Sequence, residues 1–392
     1  MRRISANFII DGRGNRLFNK TIILDRDAVI QDIVDTDTLD PGSVEYLDGC
    51  IVPGFVNAHC HLELSHMKGL VPSGTGLIPF IKTVVSQRDF ELERILEAIE
   101  KADQEMQEAG IVAVGDISNM THTIEVKKKS PILYYNFIEN FDLLQEEGAE
   151  KQFDNYEQVY DDFISAGLTR ASMVPHAPYS VSRKMFDLLR SRAPQEGTVS
   201  IHNQETPREN DLFLSKTGDL IEFYDFVKIP LDDFSPTGGN SIEYALPMMN
   251  PDRRTLLVHN TISTERDITF AHGWSEHVFW CSCPNANLYI ENRLPDYKLF
   301  MESKAKMCLG TDSLSSNWQL SLLEEMKSIS RLQSFIPPEV LVTWATLHGA
   351  EALGIDDKYG SIEKGKAPGL NLIDLDPEKD VISQSSKVTK IV

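Results

Sequence analysis

The sequence predicts an α/β protein in which a (β/α)8 barrel occupies the middle of the chain and a small β-rich domain is built from the two ends. Two observations predict this architecture. Eight short apolar segments, typical of buried strands, recur along the middle of the chain, and helical patterns lie between several of them. At both termini, strand-like segments are broken by Gly, Asp and Asn, and no helical period is present.

The terminal segments read as short strands joined by turns. The N-terminal part contains "SANFIIDGRGN" and "KTIILDRDAVIQDIV", and the C-terminal part contains "YGSIEKGKAPGLNLIDLD". Both resemble parts of a small antiparallel sheet, so we expect the two ends to pair. The predicted division is a discontinuous domain of residues 1–50 and 355–392 around a barrel of residues 51–354.

The eight predicted barrel strands are, in order, "IVPGFVNAHCH", "GIVAVGDI", "ILYYNFIEN", "RASMVPHAP", "TVSIHNQE", "TLLVHNT", "HVFWCSCPNAN" and "KMCLGTDS". Between the first two lies the helical pattern "ELERILEAIEKADQEMQEAG", which closes on Gly110, where a helix C-cap is expected. The stretch from Pro207 to Pro251 is long for one crossover and contains "PTGGN". It predicts an inserted loop or lid.

Composition restricts the functional classes. A chain of 392 residues with 41% hydrophobic residues can bury a large core. No apolar run approaches the ~20 residues of a membrane span, and the N-terminal apolar segment is too short for a signal peptide, so we expect a cytoplasmic protein with no membrane partner. The net charge of −21 argues against nucleic acid as a partner. The five cysteines are odd in number and are expected to be reduced.

Polar residues follow the predicted strands where a barrel builds its site, at the carboxyl ends. His59 and His61 are two residues apart, so in a strand both face the same side. The pair alone would be equally compatible with a solvated loop. Three or four imidazoles with one carboxylate suit zinc or ferrous iron in an open site, and the further candidates at strand ends are His202, Glu205, His259 and Asp312.

Six motifs together resemble those of the amidohydrolase superfamily, within its cytosine deaminase and chlorohydrolase-like branch. They are "PGFVNAHCHLE", "PHAPYSVS", "HNQE", "LVHNT", "CPNANLYI" and "GTDSLSSN", and they occur in the family's order over most of the chain. The resemblance implies a TIM-like (β/α)8 barrel with a composite β-sandwich made by the terminal segments, including "LGIDDKYGSIEKGK".

The resemblance also implies the composition of the site. The metal ligands would be His59, His61, His202 and Asp312, around one divalent ion, with zinc expected and iron as the alternative. The predicted fourth strand carries no lysine to bridge a second metal. Glu205, His259 and Asp312 would be the catalytic groups. Simpler readings make His259 a hydrogen-bonded strand-end residue and Asp312 a helix cap.

Two further residues are candidates for substrate binding, together with Glu205. His176 of "PHAPYSVS" contacts substrate in related deaminases, although packing against Tyr179 would give the same sequence. Glu63 of "HLELS" faces the same side as the histidine pair if the strand continues, but simple exposure at a strand end would also explain it.

The local motifs "HLELSHMKG", "GLIPFIKTVVSQR" and "LGTDSLSSN" are similar to those of aminodeoxyfutalosine deaminase-type members. The resemblance implies a small-molecule substrate, deamination of a 6-aminopurine nucleoside or similar N-heterocycle, and a homo-oligomer. Ala286 and Ile81 depart from the pattern of that group, as do Asn203 and Gln204 within "HNQE", and they leave the substrate open. Alternatives are a cyclic amidase or chlorohydrolase, and a non-catalytic metal-binding barrel.

Overall fold

The computed structural model describes residues 1–375 and 381–392. Its strands are β1 Arg2–Ile10, β2 Arg16–Leu17, β3 Lys20–Leu24, β4 Ile30–Asp35, β5 Glu45–Pro53, β6 Phe55–Cys60, β7 Ile111–Ser118, β8 Leu133–Asn140, β9 Ala171–Pro175, β10 Thr198–Asn203, β11 Arg254–His259, β12 Val278–Ser282, β13 Met307–Leu309, β14 Leu370–Ile373 and β15 Val388–Lys390. Its α-helices are α1 Leu77–Gln87, α2 Leu92–Glu108, α3 Ile124–Lys129, α4 Ala149–Ser165, α5 Arg183–Ser191, α6 Pro207–Ser215, α7 Leu220–Val227, α8 Ser241–Ala245, α9 Glu265–Trp274, α10 Pro284–Glu291, α11 Tyr297–Glu302, α12 Leu322–Leu332, α13 Pro338–Ala345 and α14 Leu347–Leu353.

The two ends of the chain share one seven-stranded sheet. Its order is β15–β14–β5–β1–β3–β4, and β2 pairs with β1. β14 lies antiparallel to β5, with Leu370 opposite Pro53. The sheet is mixed and not purely antiparallel, because β1 and β5 run parallel. The sequence signals of the turns did not reveal this crossover.

The eight predicted barrel strands form two four-stranded parallel sheets in chain order, β6–β7–β8–β9 and β10–β11–β12–β13. Backbone hydrogen bonds join the sheets at both edges. The N–H of His202 donates to the carbonyl of His176 (2.9 Å), and the N–H groups of Thr311 and Asp312 donate to the carbonyl of His59 (3.0 and 3.1 Å). The carboxyl ends of the strands therefore meet at one end of the molecule.

The helix α2 shows why these sequences form helices over the sheets. Its buried apolar residues Ile95, Ile99, Ala102 and Met106 recur at helical spacing, so one face packs against the core. The helix ends at Glu108, and Gly110 follows with a φ of +78° that residues with a Cβ rarely adopt. The C-cap residue is Ala109, and the predicted glycine follows it in the left-handed region.

The long stretch from 207 to 251 contains helices α6, α7 and α8, and between α7 and α8 an irregular segment, residues 228–240, that includes "PTGGN". Thr206 caps α6 by accepting from the N–H of Arg208, and a reciprocal capping box between Asn240 and Glu243 starts α8. We call these residues the insertion. Within the described ranges, no helix is both long and apolar enough to cross a membrane.

Candidate active site

The polar residues predicted at the strand ends lie together where the carboxyl ends of the parallel strands meet. His59 is in β6 and His61 follows that strand, while His202 is in β10 and His259 is the last residue of β11. Asp312 follows β13 and is held there by the hydrogen bond from its N–H to the carbonyl of His59. All five are buried, and we call His59, His61, His202 and Asp312 the donor cluster.

The donor cluster has the spacing of ligands around one ion. His61 Nε2 is 3.1 Å from His59 Nε2 and 3.3 Å from His202 Nε2. Asp312 Oδ1 is 3.2 Å from His61 Nε2 and 3.5 Å from His59 Nε2. Tetrahedral ligands at the length of a Zn–N bond lie about 3.4 Å apart. The residues present therefore fit a single divalent metal ion.

His259 also lies near the donor cluster. The ligand atoms of His59, His202, His259 and Asp312 are all within 4.8 Å of one another. Its ring differs from the others in its contacts, because Nδ1 is 2.8 Å from Asn287 Oδ1 and therefore donates to it. This tautomer leaves Nε2 without a proton, facing Glu205.

The protonation states of His59 and His61 suit metal ligands, whereas that of His202 differs. Burial lowers the pKa of His59 to about 4 and that of His61 to about 3, so both rings offer lone pairs at neutral pH. Burial also lowers the pKa of His202, but hydrogen bonding and charge from Glu139 outweigh burial and raise that pKa to about 9. Metal binding at His202 would therefore compete with a proton.

Glu205 lies in the wall of the cavity above the donor cluster, buried and 3.8 Å from His259 Nε2 through Oε2. Burial is the main cause that raises the pKa of Glu205 to about 8. At neutral pH the carboxyl group consequently holds a proton that it can deliver.

The pKa of Asp312 is shifted in the opposite direction to that of Glu205. Burial alone would raise the pKa of Asp312, but the imidazoles of His59, His61 and His259 outweigh it and hold the pKa well below its usual range. Ser316 donates to Oδ2 (2.5 Å), which leaves Oδ1 facing the histidines. Asp312 is therefore a carboxylate that can accept a proton, and its φ of +57° shows a backbone shaped for this placement.

Glu139, at the end of β8, is a site residue that the sequence analysis missed. Its Oε1 is 3.2 Å from His202 Nδ1, and the same nitrogen is 2.8 Å from the carbonyl oxygen of His176. Two acceptors at Nδ1 show that this nitrogen carries hydrogen, so Nε2 is the atom left to bind a metal. Burial raises the pKa of Glu139, but the neighbouring His176 and His202 outweigh burial and lower it to about 2.

His176 satisfies both sequence-based readings in part. It lines the cavity, and its ring also meets Tyr179 edge-on, with centroids 5.9 Å apart. Nδ1 is 2.7 Å from Ser180 Oγ, which fixes the ring orientation. Substrate contact by His176 stays a prediction.

Glu63 is placed differently from what its sequence position indicated. It is not among the residues that line the cavity within the described chain, and its Oε2 accepts from the N–H groups of Asn119 and Met120 (2.9 and 3.1 Å). Its Oε1 is 3.6 Å from Nη2 of Arg88, which does line the cavity. The structure thus connects Glu63 to the cavity through Arg88.

Comparison with known proteins places these observations in a family. Residues 50–392 match the model of the amidohydrolase family. A curated adenosine deaminase of Helicobacter pylori is 27% identical over 82% of this chain and 78% of its own length. A 5-methylthioadenosine/S-adenosylhomocysteine deaminase of Saccharophagus degradans is 27% identical over 95% of this chain and 82% of its own length.

The crystal structure of Helicobacter pylori aminofutalosine deaminase in complex with methylthio-coformycin superposes with a TM-score of 0.81, at 24% identity, over 96% of this chain and 93% of that one. The chain belongs to the amidohydrolase family. It has a TIM-barrel-like α/β fold and is a hydrolase of carbon–nitrogen bonds that acts on a small molecule and has a divalent metal site.

Proposed function

We propose that this chain hydrolytically deaminates a 6-aminopurine nucleoside or a similar N-heterocycle and releases ammonia. The observation that carries the proposal is the presence in one cavity of a proton-holding Glu205 in the wall and an ionised Asp312 in the donor cluster. Deamination needs one group that takes a proton from water and one that gives a proton to the ring or to the departing amine. A purely structural metal site would need neither.

The roles follow from the protonation states. Asp312 accepts one proton of the attacking water, and Glu205 gives its proton to a ring nitrogen. Glu205 then regains a proton from the hydroxyl group of the tetrahedral adduct, and the proton held by Asp312 passes to the leaving amine. The oxygen of the water forms the new bond to the ring carbon, and the bond to nitrogen breaks as ammonia leaves. His259 Nε2 can accept a hydrogen bond from the attacking water and so fix its direction, because Nδ1 is committed to Asn287.

We propose that the metal is a single zinc ion held by His59, His61, His202 and Asp312. We favour His61 over His259 because His61 Nε2 lies 3.1 to 3.3 Å from three other donors, whereas His259 is engaged by Asn287 and faces Glu205. When bound, the ion lowers the pKa of water and polarises the reacting centre. Three imidazoles and a carboxylate are a common zinc set.

Similarity to relatives named as adenosine and 5-methylthioadenosine/S-adenosylhomocysteine deaminases supports a nucleoside as the substrate. The cavity supports a nucleoside with an extended substituent. Its floor holds the polar residues, and its wall continues outward along α1 and past Phe141 and Phe223, which are apolar. Arg88 is the one Lys or Arg among the cavity-lining residues of the described chain.

The test is ammonia release by the zinc-loaded protein from adenine nucleosides that differ in their 5′ substituent: none, methylthio, the homocysteine of S-adenosylhomocysteine, and an aromatic carboxylate. Pterins and cyclic ureides complete the panel. Glu205→Gln should lower turnover about a hundredfold to ten-thousandfold with metal content unchanged. Near-normal turnover in that variant would refute the role of Glu205. Absence of ammonia from every nucleoside and pterin, with metal bound, would refute deamination and favour ring opening or dechlorination.

We propose further that the two parallel sheets close into a single (β/α)8 barrel, residues 51–354, and that residues 1–50 and 355–392 form a separate composite β-sandwich. The hydrogen bonds at both sheet edges and the Cys60–Asp312 bridge support closure. The pairing of β14 with β5 supports a discontinuous terminal domain.

A further inference from the structure

Glu209 of α6 is a buried carboxylate that takes no part in the chemistry proposed above. It is fully buried and does not line the cavity within the described chain. Its Oε1 accepts from the N–H of Glu205 (2.7 Å), and its Oε2 accepts from the N–H of Gln204 (3.1 Å). Both oxygens of one carboxylate are thus used to hold two successive backbone groups.

The backbone that Glu209 holds is the turn that separates a metal donor from the proton donor. Gln204 has a φ of +47°, a conformation that residues with a side chain rarely adopt without support. On the opposite side of the turn, Thr261 Oγ1 donates to the carbonyl of Glu205 (2.7 Å) and Ser263 Oγ donates to Gln204 Oε1 (2.6 Å). The turn is clamped between α6 and the segment after β11.

The helix that carries Glu209 is also bonded to α8, through the residue after Glu209. The hydroxyl group of Ser241, the first residue of α8, donates to Oδ1 of Asn210 (3.5 Å). The N–H of Ser241 donates to Oδ1 of Asn210, the next residue of α6 (3.2 Å). Glu209 therefore lies where the insertion holds the catalytic turn, next to the cap that Thr206 makes on the same helix.

We infer that Glu209 is a positioning residue for Glu205: it accepts two backbone N–H groups and so fixes the direction in which Glu205 delivers its proton. The inference rests on the proposed function. Holding two backbone N–H groups requires a side chain with two acceptor oxygens. A glutamine at this position would have one acceptor oxygen and would turn its NH2 group toward a backbone N–H.

The test compares Glu209→Gln with Glu209→Asp, which keeps both acceptors on a shorter stem. The matched control is Glu222→Gln, because Glu222 lies in α7 of the same insertion and its side chain is 71% exposed. For a nucleoside that the wild type deaminates, Glu209→Gln should lower kcat about tenfold to a hundredfold, the loss that a small misplacement of a catalytic group causes. KM and metal content should stay unchanged. Glu209→Asp should recover part of the loss, and Glu222→Gln should equal the wild type.

A second readout does not depend on activity. In hydrogen exchange measured by mass spectrometry, the peptide with the Gln204 and Glu205 amides should exchange faster in Glu209→Gln, while peptides from β11 keep their protection. If no nucleoside is deaminated, the proposed function fails, but the exchange result still decides whether Glu209 holds the turn. If Glu209→Gln does not fold, Glu209→Asp decides on both readouts. Normal kcat with unchanged exchange, or a loss confined to KM, would overturn the inference.

Discussion

The floor and the mouth of the cavity are built in opposite ways. The floor is the donor cluster, whose four residues come from three strands or strand ends distant in the chain and are at most 9% exposed. The mouth is largely one face of α1, where Phe80, Ile81, Val84 and Val85 line the cavity and Val85 is 50% exposed. The difference shows that the donor residues come from segments distant in the sequence, whereas much of the apolar lining comes from a single helix that holds none of the donors.

The largest effect is expected when a metal ligand is removed from the donor cluster at the floor of the cavity. His61→Ala should lose bound metal and, with it, turnover, because His61 Nε2 lies within 3.3 Å of three other donors. The loss of metal affinity should exceed the roughly tenfold to hundredfold caused by removing a group that only orients a ligand. Elemental analysis of the dialysed variant measures how much metal it retains.

The control is Val85→Ala, which shortens a side chain at the mouth and should keep its metal. Undiminished metal in His61→Ala would remove that residue from the ligand set and return His259 to consideration, since His259 also lies within ligand distance of His59, His202 and Asp312.

A smaller effect is expected from Glu139, which lines the cavity and orients the ring of His202. Glu139→Gln should weaken metal binding about tenfold to a hundredfold, because the amide cannot match the charge that keeps hydrogen on His202 Nδ1. Competition with a chelator measures the affinity. Glu125→Gln is the matched control, since that side chain on α3 is 68% exposed. Equal affinity in wild type and Glu139→Gln would mean that the carbonyl of His176 alone orients the ring.

The sequence predicted the floor far better than the mouth, for physical reasons. Parallel strands bring their carboxyl ends to one edge, so polar residues after apolar segments could be assigned together, and His59, His202 and Asp312 do lie together. Glu139 obeys the same rule but was overlooked, because its significance depends on contact with a residue two strands away. Arg88 follows a helix, and no local pattern indicates which face of that helix meets a cavity.

The same limit applies to the terminal sheet and to Glu63. Alternation and turn residues predicted strands at both ends, but the parallel pairing of β1 with β5 is a long-range property that no turn encodes. Glu63 was considered for substrate binding because of its position two residues beyond His61. The chain turns there into a short 3-10 helix, Leu62–Met67, which carries the carboxylate toward Asn119 and Met120.

The smallest predicted effect concerns Arg88, at the mouth of the cavity, and the preference for a charged substrate. Arg88 follows α1 at the end of its apolar face. Its ion pair with Glu63 is long, at 3.6 Å between Nη2 and Oε1, so the guanidinium group can also donate to a ligand. Arg88→Gln should lower kcat/KM about tenfold for an adenine nucleoside whose apolar arm ends in a carboxylate. The corresponding neutral amide should be affected little. Arg94→Gln, on the exposed side of α2, is the control.

Glu63→Gln provides the converse variant. It keeps acceptors for the Asn119 and Met120 N–H groups at one oxygen but removes the charge that faces Arg88, so preference for the carboxylate should rise where Arg88→Gln makes it fall. Equal losses on the charged and neutral substrates in Arg88→Gln would show that the arginine only packs at the mouth. Opposite changes in the two variants, with metal content constant, would show that this ion pair sets substrate preference independently of the floor.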